Sequence, residues 1–351
     1  MFKQAFQQYK KKNPPPDLQD VIDVDLYEEN TITSHSWHNL VKPVHISESA
    51  FIQSEARLRQ AVGLQPEHLW RCYQLSNHPG LLLIRNPFTL SGQRYWIARG
   101  LRDYSQPPYV SNLDAIKFSP AALSNWWQEL QNCSNNGDVK LASRLKVAMR
   151  WTTLGYHHNW DTKVYDEAMH STFPSDLESL CEAFCVTLGY TNFVPQAAIV
   201  NYYPIGTCLS GHTDHSELNH SAPLFSYSFG QSAIFLIGGT TLNEKPSAIY
   251  LRSGDVLVMS EASRLCYHAV PRVMTTDQEP WNIVESKANT SKENDDVGNM
   301  DTNLNNALDS KLFEKVKDEL FWQPFNEFIR ESRINMNVRQ VLPMGMHQIP
   351  T

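Results

Sequence analysis

The stretch Arg333-Ile-Asn-Met-Asn-Val-Arg339 limits what this chain can fold into more than any other. Read as a strand, its period of two puts Arg333, Asn335, Asn337 and Arg339 on one face, with Ile334, Met336 and Val338 on the other. The apolar face needs a core. The opposite face carries two guanidinium groups, which are costly to bury unless anions meet them. Arginine's planar fork matches a carboxylate through two parallel bonds, so an acidic ligand with two carboxylates would suit the pair. For a single arginine the alternative is a solvated strand face.

A metal motif lies upstream. His212-x-Asp214 sits in the run from Asn201 to Glu217, and residues two apart on an extended segment leave the backbone on the same side. His268, closing Ser263-Arg-Leu-Cys-Tyr-His268, offers a third arm. Two histidines and one carboxylate form the facial triad of non-haem Fe(II) oxygenases, which leaves other coordination positions open. A zinc hydrolase could use the same residues, but it would leave the arginine strand unexplained.

The surrounding pattern is that of many short strands. Residues 197–203, 224–229, 233–237, 248–251, 256–259 and 333–341 read as strands, with turns at Gly206, Gly238-Gly239 and Ser253-Gly254-Asp255. Strands at this spacing predict a sandwich or barrel. Before residue 195 the reading is mixed. Residues 1–12 hold Phe2, Phe6 and Tyr9 at helical spacing and end in three lysines, which fits a docking helix or a weak presequence. Helices are expected at 47–60, 95–104, 119–131, 141–151, 174–188 and 311–330, and a buried strand within 79–88. The charges of 141–151 (Arg144, Lys146, Arg150) suit a solvated face or a phosphate-contacting patch. Residues 151–161, dense in aromatics, read as a lid loop or a loop packed under a sheet. His157 and His158 read as structural or surface residues. Residues 284–311, poor in apolar side chains, read as a flexible insertion. This divides the chain into an N-terminal extension (1–74), a helical and strand lid region (75–194) and a core (195–345).

Composition closes off some classes. The formal net charge is -7 and the pI about 6.0, so any nucleic-acid surface must be a local patch. Six cysteines without a Cys-x-x-Cys pair read as free thiols in a reducing compartment. No run approaches the roughly 18 apolar residues of a membrane span. We expect an intracellular chain, with nucleus, mitochondrion and cytoplasm all open.

Taken together, Asn201-x-Tyr203, His212-x-Asp214, Ser263-Arg-Leu-x-Tyr-His268 and Arg333-x-Asn-x-x-x-Arg339 resemble the AlkB family of Fe(II)- and 2-oxoglutarate-dependent nucleic-acid dioxygenases. The runs 224–239, 155–161 and 268–272 are more similar still to the AlkB homologue 1 branch. The resemblance spans roughly residues 75–345. It implies an α+β chain whose core is a double-stranded β-helix, a jelly roll of two facing sheets. It implies Fe(II) on His212, Asp214 and His268. Asn201 and Tyr203 would bond 2-oxoglutarate, Arg333 would clamp its distal carboxylate, and Asn335 and Arg339 would complete the cosubstrate site. Trp151 and Tyr156 match lid aromatics that face the substrate. Where the bacterial member has a base-contacting acid, this chain has Ser216 followed by Glu217, so base preference is not carried over, and Glu217 becomes the candidate contact.

The activity so implied consumes O2 and oxidises a methyl group on a base, first 1-methyladenine in tRNA, with N6-methyladenine in DNA and 5-methylcytosine in tRNA as further targets. A base must be unpaired or flipped to reach such a site. The competing readings are a protein-modifying dioxygenase, such as a histone demethylase or hydroxylase, and a binding module that has kept the fold.

Overall fold

The computed structural model describes residues 1–28, 35–46, 53–116, 118–282 and 307–350. Fifteen strands run through the described residues: β1 (Val21–Ile22), β2 (Val41–Val44), β3 (Arg71–Leu75), β4 (Leu81–Arg85), β5 (Val110–Ser111), β6 (Trp151–Asn159), β7 (Val164–His170), β8 (Ala197–Pro204), β9 (Leu209–His212), β10 (Leu224–Gly230), β11 (Ser232–Ile237), β12 (Ser247–Leu251), β13 (Val256–Met259), β14 (His268–Met274) and β15 (Ser332–Arg339). They form two sheets. The major one has the order β2-β3-β4-β13-β10-β15-β8-β6-β5, with β7 hung on β6. The minor one is β1-β12-β11-β14-β9. This is the jelly-roll core with helices that the strand spacing and the family resemblance predicted.

Strand β15 is buried on both faces, as its pattern demands. Ile334, Met336 and Val338 join Phe225, Tyr227, Phe229, Val200 and Tyr202 in a core beneath a helical layer. That layer supplies Trp96, Trp126, Phe184 and Trp322. A second core, with Leu224, Phe235, Ile237, Leu257 and Val270, fills the space between the sheets. Arg333 and Asn335 point into this inner space, where Ser226 and Ser228 of β10 receive them. Both faces of the major sheet are therefore covered, so β4 and β13 read as continuous apolar runs, while β10 and β15 alternate because their inner face carries the site's polar residues.

The first helix, Phe2–Lys10, lays Phe2, Phe6 and Tyr9 on the outer face of the minor sheet, against Ile234, Leu236, Ala248 and Ala269. The docking reading is the one the structure adopts. Elsewhere local chemistry moved the expected boundaries. The helix foreseen at 95–104 starts at Leu90, because Thr89 caps it by accepting from Gly92 N at 3.0 Å. The single helix foreseen at 119–131 is two, Pro120–Ser124 and Trp126–Asn135. Asn125 leaves helical angles (φ -154°, ψ 89°), and its side chain caps the second helix. The basic helix is Val139–Ala148, capped by Asp138, and the segment at 311–330 is also two helices, Ser310–Lys315 and Glu319–Ile329. Residues 47–52 and 283–306, which carry the start of one expected helix and most of the expected insertion, lie outside the described residues.

The largest correction is at 151–159. It is strand β6 and not a loop: Trp151, Thr153 and Gly155 pair with Asn201, Ile199 and Ala197. Its β-branched and aromatic residues suit a half-buried pleat. Gly155 has φ +71° and packs directly on the Gln196 carbonyl. A left-handed conformation costs other residues roughly 1–2 kcal/mol before any clash. Gly155→Ala is therefore expected to destabilise the fold by about 2 kcal/mol or more, measured as a lower urea midpoint at unchanged slope.

Candidate active site

The site lies where β9, β14 and β15 meet between the sheets. Strand β9 ends at His212, which faces His268 of β14 in register, while β11 flanks His268 on its other side. Asp214 follows just beyond β9. Its carboxylate oxygens lie 3.9 Å from His212 Nε2 and 3.8 Å from His268 Nε2. One donor atom from each of the three residues lies within 4.8 Å of the others.

The tautomers suit a metal. His212 Nδ1 is 2.9 Å from the Ser210 carbonyl and His268 Nδ1 is 3.1 Å from the Cys266 carbonyl. A carbonyl only accepts, so each Nδ1 carries the proton and each Nε2 keeps its lone pair toward the shared centre. Burial, reinforced by His212, lowers the His268 pKa to about 4, which keeps its ring neutral as a ligand must be. Burial pushes the Asp214 carboxyl up, but Arg339 and the two histidines outweigh it and hold it well below the carboxylate range.

Arginines organise the rest. Arg339 Nη2 donates to Asp214 Oδ2 at 2.8 Å, and its Nε lies 3.2 Å from Glu217 Oε1. Arg264 reaches Glu217 Oε2 at 3.1 Å and the Asp214 carbonyl at 2.8 Å. Arg333 differs. It is 2% exposed, donates only to Ser228 Oγ at 2.9 Å, and lies 5.6 Å from the Tyr203 ring centroid. Its Nε and Nη1 have no partner, and neither has Arg339 Nη1. Burial lowers the Arg333 pKa to about 10, so it stays charged at neutral pH. A buried cation with open donors and no ion-pair partner among the described residues fits an anionic ligand carboxylate. The protein residues thus fit Fe(II) at the triad and 2-oxoglutarate between the triad and Arg333.

Beside the triad opens a cavity of about 310 Å³. Asn201, His212, Asp214, Asn337 and Arg339 floor it, and His158, Trp160, Lys163 and Tyr165, from the β6–β7 hairpin, wall one side. Asn335 instead spends its amide on Ser226 Oγ (2.9 Å) and the Tyr227 carbonyl (3.0 Å). Tyr203 pairs in register with Arg333, and burial pushes its hydroxyl up to about 12, so it is a neutral donor.

Three expected substrate contacts are placed otherwise. Glu217 touches the cavity, but its carboxylate is taken up by Arg264, Arg339 and the Tyr165 hydroxyl (3.1 Å). Tyr156 is buried behind the hairpin among Tyr165, Ala197, Val341 and Leu342. Trp151 backs Trp160, with ring centroids 5.1 Å apart, and does not line the cavity. His158, expected in a structural or surface role, lines the cavity, as does Trp160 of the aromatic stretch 151–161, which had not been singled out within it. Regular alternation from Trp151 puts His157 toward the site, but Gly155 and a register shift after Tyr156 turn His158 and Trp160 inward. The basic helix lies on the outer layer, where Lys146 pairs with Glu331, and the cations that line the cavity are Arg339 on its floor and Lys163 on the hairpin.

A family model described as the 2OG-Fe(II) oxygenase superfamily matches residues 80–339. The mouse protein "Nucleic acid dioxygenase ALKBH1" is 40% identical over 82% of this chain and 70% of its own length. The Arabidopsis thaliana protein "DNA N(6)-methyladenine demethylase ALKBH1A" is 30% identical over 95% of this chain and 90% of its own. The fission-yeast protein "tRNA demethylase abh1" is 31% identical over 62% and 76% respectively. The chain belongs to the AlkB family of 2OG-Fe(II) oxygenases, on the ALKBH1 branch. It is an Fe(II)- and 2-oxoglutarate-dependent dioxygenase. When bound, the metal and cosubstrate supply O2 activation and oxidation of a C–H bond; the chain's own residues hold, orient and screen them.

Arg333→Ala removes the open guanidinium. Loss of one partner from a buried charge pair costs about 2–5 kcal/mol, so 2-oxoglutarate affinity should fall roughly 30-fold or more, while Co(II) binding at the triad, followed by its visible absorption, stays intact. Unchanged 2-oxoglutarate affinity by calorimetry would assign the clamp elsewhere.

Proposed function

We propose that this dioxygenase demethylates unpaired N-methylated bases in nucleic acid, with 1-methyladenine in tRNA as the first substrate and N6-methyladenine in DNA as a further one, and that it can also oxidise, without demethylating, 5-methylcytosine in tRNA. The supporting observation is the aromatic wall beside the triad. Trp160 and Tyr165 stand over a cavity that ends at His212 and Asp214, the shape a flat base needs to slide in methyl-first. The names of the mouse, plant and yeast relatives point to nucleic acid as the polymer, DNA in one case and tRNA in another.

The chain's residues divide the work. Trp160 stacks the base, and His158 and Ser216, joined at 3.0 Å, offer a polar edge to it. Asn201 and Asn337 line the floor nearest the cosubstrate strand. Oxidation turns the N-methyl into a hydroxymethyl group, which leaves as formaldehyde and frees the ring nitrogen. A regular duplex is disfavoured, because extracting a paired base costs a few kcal/mol. The alternative, a methyl-lysine cage in a protein oxygenase, needs an open aromatic face for a cation. Lys163 Nζ already lies 5.4 Å from the Trp160 ring centroid, which favours the base.

The test is succinate release with the same N-methylated adenine in an RNA hairpin loop, in an unpaired DNA bubble and in full duplex, beside a methylated histone peptide. The unpaired nucleic acids should lead. Trp160→Ala should lower kcat/KM on them about ten-fold or more, since stacking is worth roughly 1–3 kcal/mol per base, and should spare slow 2-oxoglutarate consumption without substrate. Preference for the peptide would move the chain to the protein oxygenases.

A further inference from the structure

The hairpin that walls the cavity is tied on two sides: toward the metal site, where His158 also meets Ser216 at 3.0 Å, and away from it. The inner point is Tyr165, whose hydroxyl donates to Glu217 within the arginine cluster. The outer point is Glu167 on β7. Its Oε2 accepts from the Tyr156 hydroxyl at 2.8 Å and from the backbone N–H of Ile349 at 2.9 Å. Ile349 packs its side chain against the cluster of Tyr156, Tyr165, Ala197, Val341 and Leu342. One carboxylate oxygen thus joins both strands of the hairpin to the segment that follows the last strand.

That segment has its own anchor. Val341 and Leu342 donate their N–H groups to Gln196 Oε1 at 2.9 and 2.7 Å, and the Val341 carbonyl accepts from Leu218 and Asn219. Beyond Leu342 the chain leaves the core: Met344 is 74% exposed, and no helix or strand follows up to Pro350. It returns at Ile349, onto Glu167. The hairpin is otherwise loosely tied. β7 pairs only with β6, with a register shift, and lies off the path of the major sheet.

We propose that Glu167 is a positioning residue: by latching residues 343–350 to the β6–β7 hairpin, it sets the stance of His158, Trp160 and Lys163 over the cavity and so the affinity for methylated nucleic acid. The substrate half of this statement rests on the proposed function; the latch itself does not. Glu167 touches neither the triad nor the cosubstrate arginines, so it acts on substrate capture rather than on oxidation.

The experiment uses the full chain loaded with Fe(II) and 2-oxoglutarate. Hydrogen exchange followed by mass spectrometry reads the hairpin directly, and steady-state turnover of a 1-methyladenine RNA hairpin reads its consequence. In Glu167→Ala, in Tyr156→Phe and after removal of residues 343–351, exchange across 156–170 should speed up by about five-fold or more, the weight of a lost hydrogen bond. Exchange in β10 and β15 should not change. KM for the oligonucleotide should rise about five-fold with kcat and substrate-free 2-oxoglutarate consumption unaltered. Glu167→Gln, whose amide oxygen accepts the same two bonds, should restore most of both. The Tyr156→Phe, Glu167→Ala double variant should be no worse than Glu167→Ala alone, because the two share one interaction. Unaltered exchange in Glu167→Ala overturns the latch. Faster exchange with unaltered KM overturns its link to substrate. If the parent enzyme turns over none of the nucleic acids, the substrate reading fails, and the link to substrate with it, while the exchange data still decide the latch.

Discussion

Arg339 is the interaction on which this site depends. It is a buried cation that meets two carboxylates, the half-buried Asp214 and the buried Glu217, with Arg264 closing the square. Asp214 stays an anion because Arg339 and the two histidines outweigh its desolvation. Glu217 is not a free contact: its carboxylate is held by Arg264, Arg339 and the Tyr165 hydroxyl. With Arg333 added, three buried arginines face two carboxylates, which leaves one positive charge without a partner. A divalent cation and a dicarboxylate cancel each other, so the pair enters without disturbing this balance, whereas either alone would tilt it. The protein is built to hold metal and cosubstrate together.

The sheet architecture supplies the rigidity this needs. Strand β15 lies between β8 and β10, so its arginine face cannot rotate away from the hollow without tearing two ladders. The helical layer locks the opposite face, with Trp127 stacked on Phe325 at 4.8 Å and Trp126 edge-on to Phe328. The N-terminal helix does the same for the minor sheet: Phe2 packs on Gly211 and Gly238, close behind the strands that carry the two histidines. Rigid strands carry the metal and cosubstrate ligands, and a loosely paired hairpin carries the substrate wall. This is the division expected when chemistry needs a fixed geometry and a polymer needs room to enter.

Much of this was legible in the chain. The triad, the arginine strand and the run of short strands are local patterns with fixed spacing, and spacing converts to geometry when a segment stays extended. Strand parity sent Ile334, Met336 and Val338 to the helical core and Arg333 and Asn335 to the hollow, as read. Residues 151–161 read as a loop, and even strand parity would not have placed them: one glycine at positive φ and one register shift break the alternation, and nothing in the order of the residues announces that His158 is the one turned to the cavity.

The sequence by itself determined a many-stranded sandwich or barrel, a candidate metal triad and the face on which the arginines lie, because each follows from periodicity or from the donor chemistry of a residue type; the jelly roll came with the family resemblance. Only the tertiary structure decided which arginine is free. Arg333 and Arg339 look equivalent along the strand, but Asp214 and Glu217, brought in by the loop after β9, occupy one and leave the other open. It also decided that Trp160 rather than Tyr156 stands at the cavity, and that residues after Leu342 return to the hairpin at Glu167. Pairings between distant segments depend on where the chain crosses itself, and no local spacing records that.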